Sequence, residues 1–206
     1  MDKKIICLFG PQGSGKGTQA KMLTDRLGIP HISTGDLFRI AIESDTALGN
    51  QVKSIVQSGK LVPDELTFGL LKQRISQNDC ANGFILDGFP RTLKQAQLLE
   101  DYMPVDYAVV LQISDEESLK RLVNRRHDIK TGAIYNLYTA PKPPAEIIQN
   151  LVQRPDDTEA AIKLRLTQYH HETEPLFMYY QDKVVRVNGE QEIDKVAKDI
   201  AKALHI

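Results

Sequence analysis

The chain has 206 residues, 41% hydrophobic and 26% charged, with 26 basic against 27 acidic side chains and a net charge of −1. Those proportions describe one globular core carrying inserted subdomains, and they exclude a disordered tail, a coiled coil or a collagen-like rod. The balanced charge lacks the basic excess of a duplex-binding domain. No stretch approaches the ~20 apolar residues of a membrane span.

A buried strand is predicted at Lys4–Phe9. Its apolar run ends at Gly10 and is shorter than the ~7–15 residues of a signal-peptide core. Cys7 and Cys80 form no CxxC or Cys/His metal spacing, so the chain reads as a reduced, cytoplasmic protein. Directly after the strand comes Gly10-Pro11-Gln12-Gly13-Ser14-Gly15-Lys16-Gly17-Thr18, which opens a helix through Leu27. This is the G-x-x-x-x-G-K spacing. Glycines let successive backbone N–H groups curl towards phosphate oxygens at a helix N-terminus, and the lysine adds a positive charge for the outer phosphates. Gly17 stands where a P-loop usually carries the Ser/Thr that holds Mg²⁺. The metal is therefore expected on substrate phosphates and water, with Thr18 nearby and no direct protein ligand.

Further along, a strand is predicted at Pro30–Ser33, followed by helices without a strand over Thr34–Val62. Pro63-Asp64-Glu65 is a helix first turn, and Gly83–Asp87 a third strand. Thr92-Leu93-Lys94-Gln95 is a capping box, Tyr107–Ile113 a strand, and Ser114-Asp115-Glu116-Glu117 a second box opening a helix to about Arg125. The stretch 126–156, with five residues drawn from Gly and Pro, suits a small irregular or hairpin-bearing flap. Asp156-Asp157-Thr158-Glu159 opens a helix with Ile162, Leu166 and Tyr169 on one face, and Lys183–Asn188 is a last strand. Strands alternating with helices predict an α/β fold: a doubly wound, parallel five-stranded sheet covered on both faces, with ligands beyond the strands' carboxyl ends.

Several polar residues admit two readings. Asp87 is either a strand-end turn acid or an outer-shell magnesium carboxylate, and Thr34 and Asp36 either cap a helix or face a ligand. Gln95 serves the helix end as the fourth residue of a capping box, or reads a base. Arg121 and Arg125, spaced i and i+4 on the predicted helix, either pair with Glu117 and solvent or bind phosphate. Arg126 is expected in a salt bridge, and His127, His170 and His171, with no metal spacing, as structural or surface residues.

The segments GPQGSGKGTQ, STGDLFR, GKLVPDE, GFILDGFPRT and NRR occur in the order typical of nucleoside monophosphate kinases, and over essentially its whole length the chain resembles an adenylate kinase. The resemblance implies a P-loop core (1–33, 63–125 and 158–206), an AMP-binding insertion (34–62) and a lid (126–157). It implies that Gly13, Ser14, Gly15, Lys16, Gly17 and Thr18 bind ATP phosphates, with Arg121, Arg125, Ile134, Tyr135 and the backbone at Gln191 also at ATP. It places Thr34, Arg39, Lys60, Leu61, Val62, Gly88, Phe89, Pro90, Arg91 and Gln95 at AMP. Lys16, Arg91, Arg125, Arg154 and Arg165 would surround the transferring phosphoryl group, the last two also touching AMP, while Asp87 and Asp36 would reach Mg²⁺ through water. The implied reaction is reversible Mg²⁺-dependent transfer from ATP to AMP giving two ADP, in a monomer that binds neither nucleic acid nor membrane. Residues 126–157 contain no cysteine, so a zinc-clamped lid is excluded. Lid packing is expected instead from Ile134, Tyr138, Ile147, Ile148 and Leu151. The arginines are expected to repel one another in the empty protein and favour an open form. Rival readings are a uridylate/cytidylate kinase and a non-catalytic nucleotide switch. A GTPase is disfavoured by the lack of an Asn-Lys-x-Asp guanine reader.

Overall fold

The computed structural model describes residues 3–44, 46–57, 62–139 and 141–206. Five parallel strands, β1 (Lys4–Phe9), β2 (His31–Ser33), β3 (Gly83–Asp87), β4 (Tyr107–Gln112) and the strand at Val184–Asn188, form one sheet. Each lies within one residue of its predicted bounds. β1 runs at the centre between β3 and β4, with β2 and Val184–Asn188 at the edges.

The sheet is parallel because helices return the chain over its two faces, and the side-chain alternation of β1 shows both being buried. Ile5, Cys7 and Phe9 point to one side, where α4 (Asp64–Ile75), α5 (Leu93–Tyr102) and α8 (Leu176–Tyr179) contribute Leu71, Ile75, Ala96, Leu99 and Leu176. Ile6 and Leu8 point to the other, against Ala20 and Leu23 of α1 (Lys16–Leu27) and Val196 and Ile200 of α9 (Ile193–Ala203). A third cluster joins α6 (Asp115–Val123) to α7 (Glu159–Gln168) through Leu122, Ile162 and Leu166. Ile162, Leu166 and Tyr169 share the buried face expected of them.

Local signals set the helix starts. The side chains of Ser33, Thr92, Ser114 and Thr158 accept from the backbone N–H three residues on, opening α2 (Thr34–Glu43), α5, α6 and α7. Neither predicted capping box closes reciprocally. Glu117 turns to Arg121, leaving the Ser114 N–H to Glu190, and Gln95 Oε1 accepts from the Arg91 N–H rather than that of Thr92.

Residues 34–57 form α2 and α3 (Ala47–Gln57), without a strand among the described residues. Between α6 and α7 a separate antiparallel sheet forms from β5 (Arg125–Asp128), β6 (Ile134–Asn136) and β7 (Leu151–Val152), in the order β6-β5-β7; the parallel strand at Val184–Asn188 is thus β8. Two expectations are corrected here. α6 stops at Val123, so Arg125 lies on a strand and shares no helix face with Arg121. Ile134, Tyr138 and Ile148 are exposed rather than packed in a small core. Polar contacts organise this region instead: buried Asp128 accepts from the Thr131 hydroxyl (2.7 Å) and the Lys130 N–H (3.0 Å), and Asn136 Nδ2 donates to Arg121 O (2.8 Å).

Candidate active site

A cleft of about 980 Å³ opens beyond the carboxyl ends of the parallel strands, floored by the turns that follow β1, β2 and β3 and flanked by β6 and the loop after β8. At its floor the 10–18 turn leads into α1. Helices α5, α6 and α7 start with a capping side chain, whereas α1 starts at Gly15 with no side-chain cap and no acid in its first turn. Its open N–H groups and positive dipole end therefore face the cleft, a combination suited to an anion. Gly13 adopts φ +83°, and a Cβ there would meet Ser118 O at 3.1 Å and Leu122 Cγ at 3.2 Å, so the turn can lie against α6 only as glycine. The buried Ser118 hydroxyl donates to Gln12 O, and Arg121 donates to Gly189 O (3.0 Å) and, more loosely, to Gly13 O (3.4 Å).

Lys16 Nζ donates to the carbonyls of Gly10 (2.8 Å) and Pro11 (2.9 Å). Burial pushes its pKa down to about 8, helped by Arg91, Arg125 and Arg165 and opposed by Asp87. Burial alone would raise the Asp87 carboxyl; His31, whose Nε2 lies 3.6 Å away, together with Lys16 and Arg91 outweighs it and holds the group below the usual carboxylate range.

Across the cleft, the Thr34 hydroxyl donates to Gly88 O (2.9 Å), as does Arg91 Nε (2.8 Å). Gly88 (φ +80°) has no room for a Cβ, which would sit 2.8 Å from Thr34 Oγ1 and 2.9 Å from the Arg91 guanidinium. Val62, Pro90 and Gln95 line this end, with Arg39 held by Asp36 at its rim. Between the two ends, Arg125 grips Asp157 with both arms (2.8 and 2.6 Å), and Arg165 spans Asp156 (2.7 Å) and Asp157 (3.3 Å). The Arg154 side chain has no hydrogen-bond or ion-pair partner among the described residues; burial, then Arg125 and Arg39, push its pKa down to about 10. It remains charged near neutral pH.

The predicted site residues Gly13–Thr18, Thr34, Arg39, Val62, Gly88, Pro90, Arg91, Gln95, Arg121, Arg125, Ile134, Tyr135, Arg154, Arg165 and Gln191 all line this one cleft, as do Asp36 and Asp87. Phe89 does not: its ring is buried against Phe68, with centroids 6.1 Å apart. Lys60 and Leu61 lie outside the described residues. The Gln191 side chain turns away to Asn188 O and Asp199, leaving its backbone at the cleft. Arg121 pairs through its Nε with Glu117 (2.6 Å), the first of its two readings, and also borders the cleft. Arg126 forms no salt bridge among the described residues; it donates to the carbonyls of Val123 (3.0 Å) and Arg125 (2.7 Å). Sequence reasoning missed Asp156 and Asp157 as arginine partners, having read them only as the acids that open α7. Two of the arginines expected to repel one another are thus neutralised in place.

Among the described residues no cluster of three or more His, Cys, Asp or Glu could hold a metal ion. The donor set here is one ionised carboxylate, Asp87, whose Oδ2 lies 3.7 Å from where a Gly17 Cβ would stand, with Thr18 also on the cleft wall. That set fits a Mg²⁺ that arrives on phosphates and is met through water, and does not fit a protein-caged ion.

Residues 8–185 match the family model described as Adenylate kinase. Over 210 aligned residues the chain is 43% identical to an adenylate kinase of Clostridium botulinum (strain 657 / Type Ba4), and over 206 it is 41% identical to one of Fusobacterium nucleatum subsp. nucleatum, each covering 97% of both chains. A cleft that runs from the glycine-rich turn opening α1 to an arginine-lined end, together with end-to-end similarity at this level, places the chain in the adenylate kinase family.

Proposed function

We propose that the chain transfers the terminal phosphoryl group of Mg²⁺-bound ATP to AMP, reversibly, giving two ADP. The observation that carries this reading is the single cleft with Lys16 and the uncapped start of α1 at one end, Thr34, Arg91 and Gln95 at the other, and Arg125, Arg154 and Arg165 between them.

The acceptor needs no general base: a phosphate monoester has its second pKa near ~6 and presents an ionised oxygen at neutral pH. The task is to bring two polyanions into line and stabilise the charge spread over the phosphoryl oxygens in flight. Guanidinium forks suit it because they match phosphate oxygens bidentately and stay charged. Lys16, now folded onto loop carbonyls, would swing to the outer phosphates of ATP, while Arg91 and Arg39 bind the acceptor phosphate. Arg125 and Arg165 are held in orientation by Asp157 and Asp156, and Arg154 brings an uncommitted guanidinium from the far side. Mg²⁺ would further neutralise the phosphates, its waters facing Asp87, with Asp36 at the rim. The two insertions, one carrying α2 and α3 and the other β5 to β7, would close over the substrates and exclude water. Ile134 and Tyr135 would then cover ATP.

The protein acts as a cytoplasmic monomer with small nucleotides as its partners, apart from nucleic acid and membranes. In support, no helix among the described residues is long and apolar enough to cross a membrane, and the net charge is −1. A coupled assay of ADP formation from ATP and AMP with Mg²⁺, run alongside UMP, CMP and GMP, tests the reading. AMP is expected to be the preferred acceptor. Lys16→Ala and Arg91→Ala should each lower kcat by about 10²-fold or more, the scale for losing one transition-state charge contact, with Tm within about 3 °C of the parent. Tight ATP binding without ADP formation would contradict the proposal.

A further inference from the structure

We propose that Asp64 sets purine discrimination at the acceptor pocket by locking the side-chain amide of Gln95 in one orientation. The inference rests on the reading above, in which Gln95 faces the acceptor base.

Asp64 opens α4 and Gln95 lies in the first turn of α5, 31 residues away. Asp64 Oδ1 accepts from Gln95 Nε2 at 2.7 Å, and Gln95 Oε1 accepts from the Arg91 N–H at 2.8 Å. Neither neighbour can reverse its role. An ionised carboxylate has no proton to give, and a peptide N–H has no lone pair to offer. Turning the amide over would set oxygen against oxygen and N–H against N–H, losing both bonds. Gln95 is only 2% exposed, so water cannot make good the loss. The amide is therefore fixed by chemistry on both sides.

Each end of the amide keeps one further site, since Nε2 carries a second hydrogen and Oε1 a second lone pair. Neither is taken among the described residues, and Gln95 lines the cleft. The free edge is thus a donor beside an acceptor, in a fixed order. A base with an exocyclic amino group next to an unprotonated ring nitrogen, as adenine has, is complementary to that order. A 6-oxopurine presents the reverse pattern, an acceptor next to a ring N–H, and would pair only with the flipped amide. Asp64 forbids that flip, so its carboxylate acts on the choice of base without touching it.

A purely structural role for Asp64 is also visible, because it accepts from the Thr92 hydroxyl at 3.1 Å and so ties the start of α4 to the cap of α5. The experiment separates the two. The ratio of kcat/KM for AMP to that for GMP is measured, with IMP as a second 6-oxopurine, in the parent, Asp64→Asn, Thr92→Val and Gln95→Leu enzymes, with Tm recorded for each. In Asp64→Asn the atom that both Gln95 and Thr92 reach can be an oxygen, as in the parent, or a nitrogen. The nitrogen donates to a turned amide and to the Thr92 hydroxyl oxygen, leaving only the Arg91 N–H to oppose the turn. This variant should lower the AMP:GMP and AMP:IMP ratios about tenfold, with efficiency towards the 6-oxopurines rising relative to AMP. Thr92→Val removes the inter-helix bond and the cap on the Gln95 backbone N–H but keeps both bonds of the Gln95 side-chain amide, and should hold both ratios within about twofold of the parent while lowering Tm. If Gln95→Leu collapses the ratios and Asp64→Asn leaves them unchanged, the lock is overturned and the base reading stands. If Gln95→Leu leaves them unchanged, Gln95 does not read the base and the proposal falls with that reading. An equal loss on all three substrates in Asp64→Asn, matched by a fall in Tm, would make Asp64 structural and also overturn it.

Discussion

The parallel sheet and the small antiparallel sheet beside it solve the same problem in opposite ways. In the first, Ile6, Leu8, Ile85, Leu86 and Val109 are sealed on both faces by helices. In the second, Ile134 (57% exposed) and Val152 (39%) stand in solvent, and order comes from Asp128, Asn136 and the paired strands. Burial makes the larger sheet rigid. The smaller one holds its shape by local hydrogen bonds and keeps apolar surface in reserve, some of it facing the cleft. A region built this way can move as a unit and cover that surface only when a ligand is present.

The comparison breaks most sharply at the link between the two regions. Asp157, almost fully buried, joins Arg125 of β5 to Arg165 of α7. Asp157→Ala leaves two guanidinium groups without it and should cost about 3–5 kcal/mol in denaturant unfolding. Within the larger sheet, Leu86→Ala should cost about 3 kcal/mol by the same measurement, through lost burial and the cavity left behind. In the smaller sheet, Ile134→Ser should cost under ~0.5 kcal/mol, since the side chain is already in water. The same variant should nevertheless raise KM for ATP severalfold in steady-state assays, because in the proposed closed form the apolar side chain of Ile134 covers ATP.

A subtler effect concerns Lys16, whose ammonium is disfavoured in the empty cleft. Phosphate beside it favours the charged form and raises the pKa from about 8. ATP binding at pH 8 should therefore take up a fraction of a proton at Lys16, the uptake falling towards pH 6.5, where the lysine is already charged and the nucleotide's own phosphate begins to release protons. Calorimetry in buffers of different ionisation enthalpy measures this, and Lys16→Met should abolish it. The smallest effect belongs to His170. Burial lowers its pKa, but Asp115 (2.9 Å) and Glu174 (3.1 Å) outweigh that and hold it above the ordinary value. The raised pKa adds stability at acid pH that is lost as pH rises through neutrality. His170 is too exposed for more than a few tenths of a kcal/mol. The Tm gap between parent and His170→Gln should accordingly be largest near pH 5.5 and vanish by pH 8.

Most of the larger sheet was legible because a strand buried on both faces is written as an uninterrupted apolar run, as in Ile5–Phe9. The helix starts at Thr92 and Ser114, and that of α7 within 156–159, were equally open, since a cap needs only residues three apart. By contrast, α2 is capped by Ser33 and not by Thr34 or Asp36. What escaped depends on partners far away in the chain. Arg125 looked helical from its spacing, yet it is on a strand, its guanidinium held by a carboxylate 32 residues on. Gln95 read as the fourth residue of a capping box or as a base reader, and neither reading contained its bonds to Asp64 and the Arg91 N–H. The apolar residues of 126–157 suggested a core because hydrophobicity alone does not say whether a side chain packs now or only after a ligand arrives.

In the proposed reaction two nucleotide pockets face each other across Lys16, Arg91, Arg125, Arg154 and Arg165. Titration with a bisubstrate mimic in which five phosphates join two adenosines, followed by calorimetry and competition, decides it. One mimic per chain is expected, bound far more tightly than ATP or AMP and displacing both at once. A mimic that displaces ATP but leaves AMP bound would contradict it.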